Sequence, residues 1–357
     1  MVMPKSEEAR LEILRRVPGR IVLAEGAETL YLGRNYQLLV SRDAGMRWER
    51  VGSLPCSGPR RVVQASRLAC RLLRQEIRAL VHLNGDRLVA ADRRAVFYRG
   101  PGEAFERSQV ETGGLPLLPP MRLTVGPKGV VLFGEYASGV AGRPKRLFAS
   151  SDGGAHFEPI FEFPPGDILH VHNLIYDEGL GHYWVLTGDF AQQPGIGILS
   201  GDLRHFEWFR RGQQRFRAVE LFDLGDRLLY ATDTHLEPNR LVSLEKASGR
   251  LEEHGSFEGS CIYACRFGGL FAMTTTVEDS PVNHSRDATL WLSRNGYDWK
   301  CAYRARKDRW SAKYFQFGSI VLPSGRTQSE AVAFSGQAVQ GIDGLTLIAR
   351  LVSRGEG

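Results

Sequence analysis

The stretch Ser41-Arg42-Asp43-Ala44-Gly45-Met46-Arg47-Trp48 follows the pattern Ser-x-Asp-x-Gly-x-x-Trp. Serine and aspartate cap tight turns through nearby backbone groups, glycine accepts a positive φ, and the aromatic ring packs beneath the next strand. Each copy of the pattern follows a strand-like segment, so the chain is predicted to repeat one strand-turn-strand unit. The other copies are Ser150 to Phe157, which ends in Phe, and the weaker Ser200 to Phe206 and Ser293 to Trp299.

Composition favours an all-β fold. The 357 residues are 43% hydrophobic and include 40 glycines, and short Val, Ile and Leu runs broken by Gly, Asp and Asn are typical of short strands and tight turns. Around the repeated turns the chain divides into units of about 40 to 50 residues, the length of a four-stranded propeller blade. The sequence therefore predicts a single β-propeller domain over residues 1–357, built from antiparallel blades.

Seven blades are favoured by this division. Residues 1–19 form an N-terminal extension, of which residues 5–19 can supply the outer strand of the last blade and close the ring. Residues 55–76 are an insertion with a short helix at 66–73. If the last segment merges with the first, the ring has six blades. The predicted blades cover residues 20–54, 77–110, 120–163, 168–211, 216–257, 260–303 and 313–352.

The repeated turns resemble the Asp-box, or BNR, repeats of sialidases and other carbohydrate-active β-propellers. The chain as a whole is similar to BNR-repeat proteins of the sialidase-like superfamily that are described as glycosyl-hydrolase-like. Sialidases share an Arg-Ile-Pro segment near the N-terminus, where this chain has Arg20-Ile21-Val22. The resemblance therefore implies the propeller fold and a carbohydrate ligand, and not the sialidase reaction. The motifs that carry it, besides the turns, are Gly134-Glu135-Tyr136, His170-x-His172, Gly188-Asp189, Thr232-Asp233 and Phe315-Gln316-Phe317-Gly318.

Carboxylates recur at the end of the second strand in four consecutive units. In an up-and-down blade this end lies beside the start of the first strand, while the Asp-box turns lie at the opposite edge. Asp92, which Arg93 and Arg94 follow, is expected only to cap a turn. The four strand ends are Val89-Ala90-Ala91-Asp92, Leu132-Phe133-Gly134-Glu135, Leu186-Thr187-Gly188-Asp189 and Tyr230-Ala231-Thr232-Asp233.

Two histidines extend this pattern. In the strand-like segment that begins with His170-Val171-His172, the period of two directs both imidazoles to one side. The following strand-like segment ends at Asp189, and a hairpin would bring that carboxylate to the same edge. The candidate catalytic residues, predicted to lie on one face, are Glu135, His170, His172, Asp189 and Asp233.

Further polar side chains are expected at this edge, where the first strands begin and the longer loops leave the second strands. A basin that combines cations with carboxylates and imidazoles suits an anionic sugar. The candidate substrate-binding residues are Tyr136, Arg78, Arg122, Arg217, His235, Lys313 and Gln316.

The first predicted function is an enzyme that cleaves an anionic oligosaccharide or polysaccharide. Hydrolysis needs two carboxyl groups beside the scissile bond, and Glu135, Asp189 and Asp233 are available. Elimination from a uronate needs a histidine or tyrosine base beside cations, which His170, His172, Tyr136 and the arginines can supply. The sequence does not distinguish these two reactions.

A divalent metal is a further hypothesis. A His-x-His pair on a strand is half of a typical Zn²⁺ or Mn²⁺ site, and His170 and His172 could bind the ion with Asp189 or Asp233 as a third ligand. The alternative to an enzyme is a non-catalytic propeller that binds a glycan or a protein in a polysaccharide biosynthesis system.

Charge and cysteine content bear on partners and location. The formal net charge of +6 comes from scattered arginine pairs without a recognition motif, so nucleic acid is not an expected partner. No stretch approaches the roughly 20 apolar residues of a membrane span, and the first residues lack an apolar signal core. The five cysteines show no zinc-ligand spacing, which agrees with a reducing compartment. A cytoplasmic location is expected.

Overall fold

The computed structural model describes residues 9–136, 142–190 and 192–352. Regular structure in these ranges is nearly all β, which confirms the predicted all-β class. The strands, in chain order, are β1 (Leu11–Pro18), β2 (Arg20–Glu25), β3 (Thr29–Arg34), β4 (Gln37–Ser41), β5 (Glu49–Ser53), β6 (Ala79–Leu83), β7 (Arg87–Ala91), β8 (Val96–Arg99), β9 (Glu106–Arg107), β10 (Gln109–Val110), β11 (Thr124–Val125), β12 (Val131–Gly134), β13 (Lys145–Ser150), β14 (His156–Phe163), β15 (His170–Asp177), β16 (His182–Gly188), β17 (Gly195–Ser200), β18 (Phe206–Arg211), β19 (Phe222–Asp223), β20 (Arg227–Ala231), β21 (Asn239–Glu245), β22 (Leu251–Phe257), β23 (Ser260–Phe267), β24 (Leu270–Val277), β25 (Asp287–Ser293), β26 (Lys300–Arg306), β27 (Gly318–Val321), β28 (Ser324–Thr327), β29 (Val332–Gln337) and β30 (Leu345–Leu351).

Helical structure is short. Ser66 caps the longest of these helices, where its side-chain oxygen accepts a hydrogen bond from the amide of Ala69 at 3.3 Å. None of the helices within the described residues has the length and apolar character that crossing a bilayer requires. The helices are α1 (Pro59–Val63), α2 (Arg67–Leu73) and α3 (Ala312–Phe315), with 3-10 turns at Pro127–Gly129 and Gln214–Phe216.

The strands pair mainly in antiparallel runs of four. One run joins both ends of the described chain, because β1 pairs with β30 from Leu11 opposite Leu351 to Pro18 opposite Leu345. Strand β10 pairs in parallel with β14, and β28 pairs in parallel with both β2 and β23. The runs are β2–β5, β6–β9, β11–β14, β15–β18, β19–β22, β23–β26, and the run β27, β29, β30, β1.

The hydrophobic core lies between neighbouring runs. Leu38 of the first run and Leu80 of the second share one buried cluster, and another cluster containing Ile21, Leu290 and Ile320 joins the last two runs to the first. Burying a large apolar side chain contributes about 1.5–3 kcal/mol, so this face-to-face packing supplies the main stabilisation. Sheets stacked in this way around a closed circle are the arrangement of a β-propeller.

The turns between third and fourth strands share one hydrogen-bond pattern. The side-chain oxygen of Ser41 donates to Asp43 Oδ1 at 2.8 Å and accepts from the amide of Gly45 at 2.8 Å. Trp48 Nε1 donates to the carbonyl of Gly45 at 3.0 Å. Gly45 has a φ of 92°, and a Cβ atom there would lie 2.7 Å from Ile348, so this turn requires glycine. The serine contacts recur at Ser150, Ser200 and Ser293.

The insertion packs at the edge opposite these turns. The fully buried Arg71 of α2 forms ion pairs with Asp308 at 2.6 Å and Asp343 at 3.3 Å. Its guanidinium also donates twice to the carbonyl of Phe315, in α3. These contacts fix the insertion against the segment that leads into β27, and together they form part of the rim at this edge.

Candidate functional site

Two imidazoles and one carboxylate converge where β15 begins and β16 ends. His170 lies opposite Gly188 in the β15–β16 pairing, and a bulge follows Val171. His170 Nε2 lies 3.1 Å from His172 Nε2 and 2.9 Å from Asp189 Oδ2, and His172 Nε2 lies 3.6 Å from Asp189 Oδ1. All three side chains are buried. We call these residues the imidazole cluster.

The orientation of His172 is set by the next blade. Its Nδ1 lies 2.8 Å from the carbonyl oxygen of Ala218. A carbonyl only accepts hydrogen bonds, so Nδ1 carries a proton, and Nε2 is the ring nitrogen that faces His170 and Asp189. A Cβ atom on Gly188 would lie 2.8 Å from His172 and 3.0 Å from Arg217. Glycine at position 188 therefore allows both side chains to pack over the end of β16.

Arg217 connects the cluster to two further candidate residues. Its Nη2 lies 2.6 Å from Asp189 Oδ1 and 3.4 Å from Asp233 Oδ2. Its Nη1 lies 2.9 Å from Nδ1 of His235. The structure thus brings together residues that the sequence placed on one face without fixing their contacts.

Asp189 and Asp233 have different pKa values because their surroundings differ. Burial raises the pKa of Asp233 to about 7, although Arg217 opposes this shift. Burial also raises the pKa of Asp189, but hydrogen bonds with His170 and His172 lower it by more, so the pKa is below its ordinary value. Burial lowers the pKa of His170 to about 4. At neutral pH, Asp189 is therefore ionised, His170 is neutral, and Asp233 is divided between its two forms.

Tyr136 covers the cluster. Its ring centroid lies 4.1 Å from that of His170 and 6.3 Å from that of His172. The guanidinium of Arg78 lies 4.6 Å from the Tyr136 ring centroid. Burial raises the pKa of Tyr136, so its phenol remains protonated at neutral pH. Burial lowers the pKa of Arg78 to about 9, and the group is still mostly charged at neutral pH.

Glu135 has a different environment from the other candidate acids. Its side chain is fully buried, and it forms ion pairs with Arg146 at 3.0 Å and Arg143 at 3.2 Å. The backbone amides of Leu118 and Arg146 also donate to its two oxygens. Both oxygens are thus engaged by these structural donors. Glu135 thus differs from the other candidate acids in its contacts, and its catalytic role stays a prediction.

Three of the candidate substrate-binding residues lie outside the imidazole cluster. Arg122 pairs with Glu220 at 2.7 Å and donates to the carbonyl of Ile262, so it crosses the central channel. Gln316 donates to Glu76 at 2.9 Å, and Lys313 is exposed on α3. The structure does not join them to the imidazoles through any contact among the described residues.

Asp92 caps a turn, as the sequence predicts. Its Oδ1 accepts hydrogen bonds from the amides of Arg94 at 2.7 Å and Ala95 at 2.8 Å. Its other oxygen accepts from the hydroxyl of Tyr36 at 2.8 Å. Both oxygens of this acid are therefore engaged, one by its own loop and the other by Tyr36.

A second charged cluster, centred on Glu76, was missed by sequence reasoning. Glu76 Oε1 accepts from Arg20 at 3.0 Å and from Gln316 at 2.9 Å, and Arg67 lies 3.5 Å from Oε2. Burial raises the pKa of Glu76, but the charges of Arg20 and Arg67 outweigh this effect and lower the pKa to about 2. Its position just before the first strand β6 is a signal that could have identified it. We call this the Glu76 cluster.

A central cavity of about 600 Å³ lies along the innermost strands. Glu220 lines it, together with Arg122 and Asn173, and Asn173 donates to Glu220 at 3.1 Å. Burial raises the pKa of Glu220, against the opposing effect of Arg122. These polar contacts join strands on different sides of the channel.

Comparison with known proteins identifies the fold. No family model matches the sequence, and no curated protein matches it. The extracellular domain of BT4673 from B. thetaiotaomicron matches with a TM-score of 0.56 and 12% identity, covering 97% of this chain and 43% of that one. An ancestral GH74 enzyme matches with a TM-score of 0.56 and 11% identity, covering 94% of this chain and 46% of that one. At these identities the likeness shows the fold alone, and the chain spans less than half of either protein.

Proposed function

We propose that this protein cleaves an anionic glycan at the face that carries the imidazole cluster. The observation behind the proposal is a group of buried side-chain atoms without hydrogen-bond partners: His170 Nδ1, Arg217 Nε and Asp233 Oδ1. Buried polar atoms in folded proteins are nearly always paired. Several unpaired atoms in one cluster are therefore best explained by a ligand that pairs with them.

The charges of the site favour an anionic ligand. Arg217 and Arg78 flank the imidazoles, and Arg217 contacts two carboxylates of which only Asp189 is fully ionised at neutral pH. The exposed Arg93 adds a further cation, whose charge acts on both Arg78 and Tyr136. A uronate carboxylate would complete the pairing of these guanidinium groups.

The arrangement of the acids favours elimination over hydrolysis. Glycoside hydrolysis uses two carboxyl groups on either side of the bond, about 5–9.5 Å apart. Here Asp189 and Asp233 both contact Nη2 of Arg217, so a guanidinium and not a sugar lies between them. Glu135 is already bound by arginines. A pair of acids that flanks a sugar is therefore not found among the predicted candidates.

Elimination would use two groups of the site for proton transfer. With a pKa of about 7, Asp233 is suited to remove the proton from C5 of a uronate, because a base works best near its own pKa. The C4–O4 bond then breaks, a double bond forms between C4 and C5, and the leaving oxygen takes the phenolic proton of Tyr136. Arg217 and Arg78 would stabilise the charge that develops on the carboxylate.

Glycan binding without catalysis is the second candidate function. Trp310, Tyr314 and Phe317 are 36%, 54% and 42% exposed, and they lie in or beside α3 at the rim of the same edge. Exposed aromatic rings stack on sugar rings through their apolar faces. Such a platform serves a binding protein as well as an enzyme, so turnover distinguishes the two functions.

We also propose the finer features of the fold and its setting. Seven blades are supported by the antiparallel runs, with β1 as the outer strand of the last blade. The serine contacts in the turns support their assignment as Asp-boxes of the sialidase-like superfamily. The five described cysteines form no disulfide, which supports a reducing, cytoplasmic setting. One of the fold neighbours, a GH74 enzyme, agrees with carbohydrate chemistry on this scaffold.

The experiment is a screen of polyuronates and other anionic oligosaccharides with two readouts. Unsaturated uronate products, detected by ultraviolet absorbance, indicate elimination, and new reducing ends without unsaturation indicate hydrolysis. Asp233→Asn should lose turnover, whereas Asp202→Asn, in a turn at the opposite edge, should retain it. Binding without either product would favour the second candidate, and the absence of both binding and turnover would contradict the proposal.

A further inference from the structure

The imidazole cluster has the spacing of a metal site. Its possible ligand atoms, one from each of His170, His172 and Asp189, lie within 4.8 Å of one another. Atoms bound about 2.0–2.1 Å from one zinc ion at tetrahedral angles lie roughly 3.3 Å apart. The nearest separations here are 3.1 Å between the two Nε2 atoms, and 2.9 and 3.6 Å from these atoms to the carboxylate.

Hydrogen bonding alone does not satisfy these three groups. The carbonyl of Ala218 accepts from Nδ1 of His172, so in the tautomer that binds a metal the lone pair of Nε2 faces Asp189, which also accepts hydrogen bonds. A single proton on His170 Nε2 can serve only one of these neighbours. A cation at the centre would interact favourably with all three at once.

The surroundings also match those of a metal site. A metal-bound histidine usually donates its other ring N–H to a carbonyl or carboxylate. The Ala218 carbonyl provides this contact to His172, whereas Nδ1 of His170 has no partner among the described residues. Nη2 of Arg217 forms an ion pair with Oδ1 of Asp189. Oδ2 of Asp189, beside His170, is therefore available to an ion. The ligands lie on or beside paired strands, a rigid support that holds them in place.

We propose that His170, His172 and Asp189 bind one divalent transition-metal ion, with Zn²⁺ as the preferred ion. Two neutral imidazoles and one carboxylate leave a net positive charge on the ion, and three protein ligands leave a coordination position for another molecule. This inference rests on the proposed function for the occupant of that position, which is the carboxylate of the anionic sugar. The ion then adds to the charge of Arg217 in stabilising that carboxylate.

The test measures metal binding without reference to any glycan. Protein stripped with a chelator and dialysed is titrated with Zn²⁺, and in parallel with Mn²⁺, by isothermal titration calorimetry. The variants are His170→Ala/His172→Ala and Asp189→Asn. The control is His182→Ala, which removes an imidazole from the far end of β16. Thermal melting establishes that each variant is folded, and His172→Gln replaces the double variant if that protein does not fold.

Wild type and His182→Ala should bind one ion per chain. Removal of a hydrogen-bond partner of a metal ligand typically lowers metal affinity by about 10–100-fold. The ligand variants should lose more affinity than this. Absence of stoichiometric binding in wild type, or unchanged binding in the ligand variants, would overturn the inference. Glycan cleavage by metal-free protein would overturn the inferred role of the ion in binding the sugar carboxylate, while leaving the proposed function intact. Stoichiometric metal binding without cleavage of any glycan would support the metal site and contradict the proposed cleavage.

Discussion

Glu135 and Asp189 occupy equivalent places in consecutive blades, yet they have different surroundings. Each follows a glycine at the end of a second strand, β12 or β16. Glu135 is enclosed by two arginines and two backbone amides, whereas Asp189 meets two imidazoles and a guanidinium that it shares with Asp233. The partners of a carboxylate at a strand end are therefore set by the groups that neighbouring strands bring to it.

The difference arises from the strands on either side. In the blade of Glu135, the third strand β13 brings Arg146 alongside, and the amide of Glu135 donates to the Arg146 carbonyl at 3.0 Å. In the next blade, β17 begins at Gly195, and the cation that meets Asp189 comes from Arg217, beyond that blade. A Cβ atom on Gly134 would lie 2.4 Å from Val171, so an apolar side chain fills the place that His172 and Arg217 take beside Gly188.

The largest expected effect is on catalysis. Asp189→Asn removes the charge that holds the imidazoles and Arg217 together, and turnover should fall by about 100-fold or more, as for other groups that stabilise transition-state charge. Glu135→Gln is the matched control, and its turnover well below its melting temperature should stay within about threefold of wild type. Rates are measured on the glycan that the screen identifies. Equal losses in both variants would remove the distinction between these acids.

Stability should show the reverse order. Glu135→Gln leaves the buried Arg146 and the half-buried Arg143 without their carboxylate, and breaking a buried ion pair costs about 3–5 kcal/mol. Asp189→Asn also takes a carboxylate from a buried arginine, but Arg217 keeps Asp233 Oδ2 at 3.4 Å as a second partner, so its cost should be smaller, about 1–3 kcal/mol. Urea denaturation monitored by tryptophan fluorescence gives both values. A larger loss of stability in Asp189→Asn would show that Asp189, and not Glu135, is the acid that mainly stabilises the fold.

The Glu76 cluster extends the comparison to acid stability. Its folded pKa of about 2 lies below the ordinary value of 4.5, so ionised Glu76 stabilises the fold fully above about pH 4.5. That contribution, of the order of 2–3 kcal/mol, is lost as the pH falls through 4.5 towards 2. In Glu76→Gln the unfolding free energy should fall less steeply over this interval. Parallel curves for the two proteins would show that Glu76 is not the group that titrates.

The smallest effect concerns the pH dependence of turnover. Asp233, with a pKa of about 7, is the proposed base and must be ionised, so activity should increase as the pH rises through 7. Between pH 6 and pH 8 its ionised fraction changes by about tenfold, and the rate should follow. The remaining activity of Asp233→Asn should lack this dependence. A wild-type rate that is flat over the same range would assign the base to another residue.

The local pattern of the chain determined much of the architecture. Alternating apolar residues and the serine-aspartate-glycine turns predicted an all-β chain, and the helix expected at 66–73 is α2 at Arg67–Leu73. The period of two predicted that both histidines face one side, and a hairpin between their strand and the next predicted that Asp189 lies at the same edge. These features depend on residues close together in sequence, which is why they can be inferred without a structure.

Only the tertiary structure decided which partner each polar group meets. Arg122 meets Glu220 across 98 positions of the chain, and Gln316 meets Glu76 across 240. Neither pairing has a local signal, because the closed stack of sheets brings these residues together. A carboxylate has the same sequence signature whether an arginine or an imidazole lies beside it. The Coulomb and desolvation energies that separate Glu135 from Asp189 therefore exist only once the blades have packed.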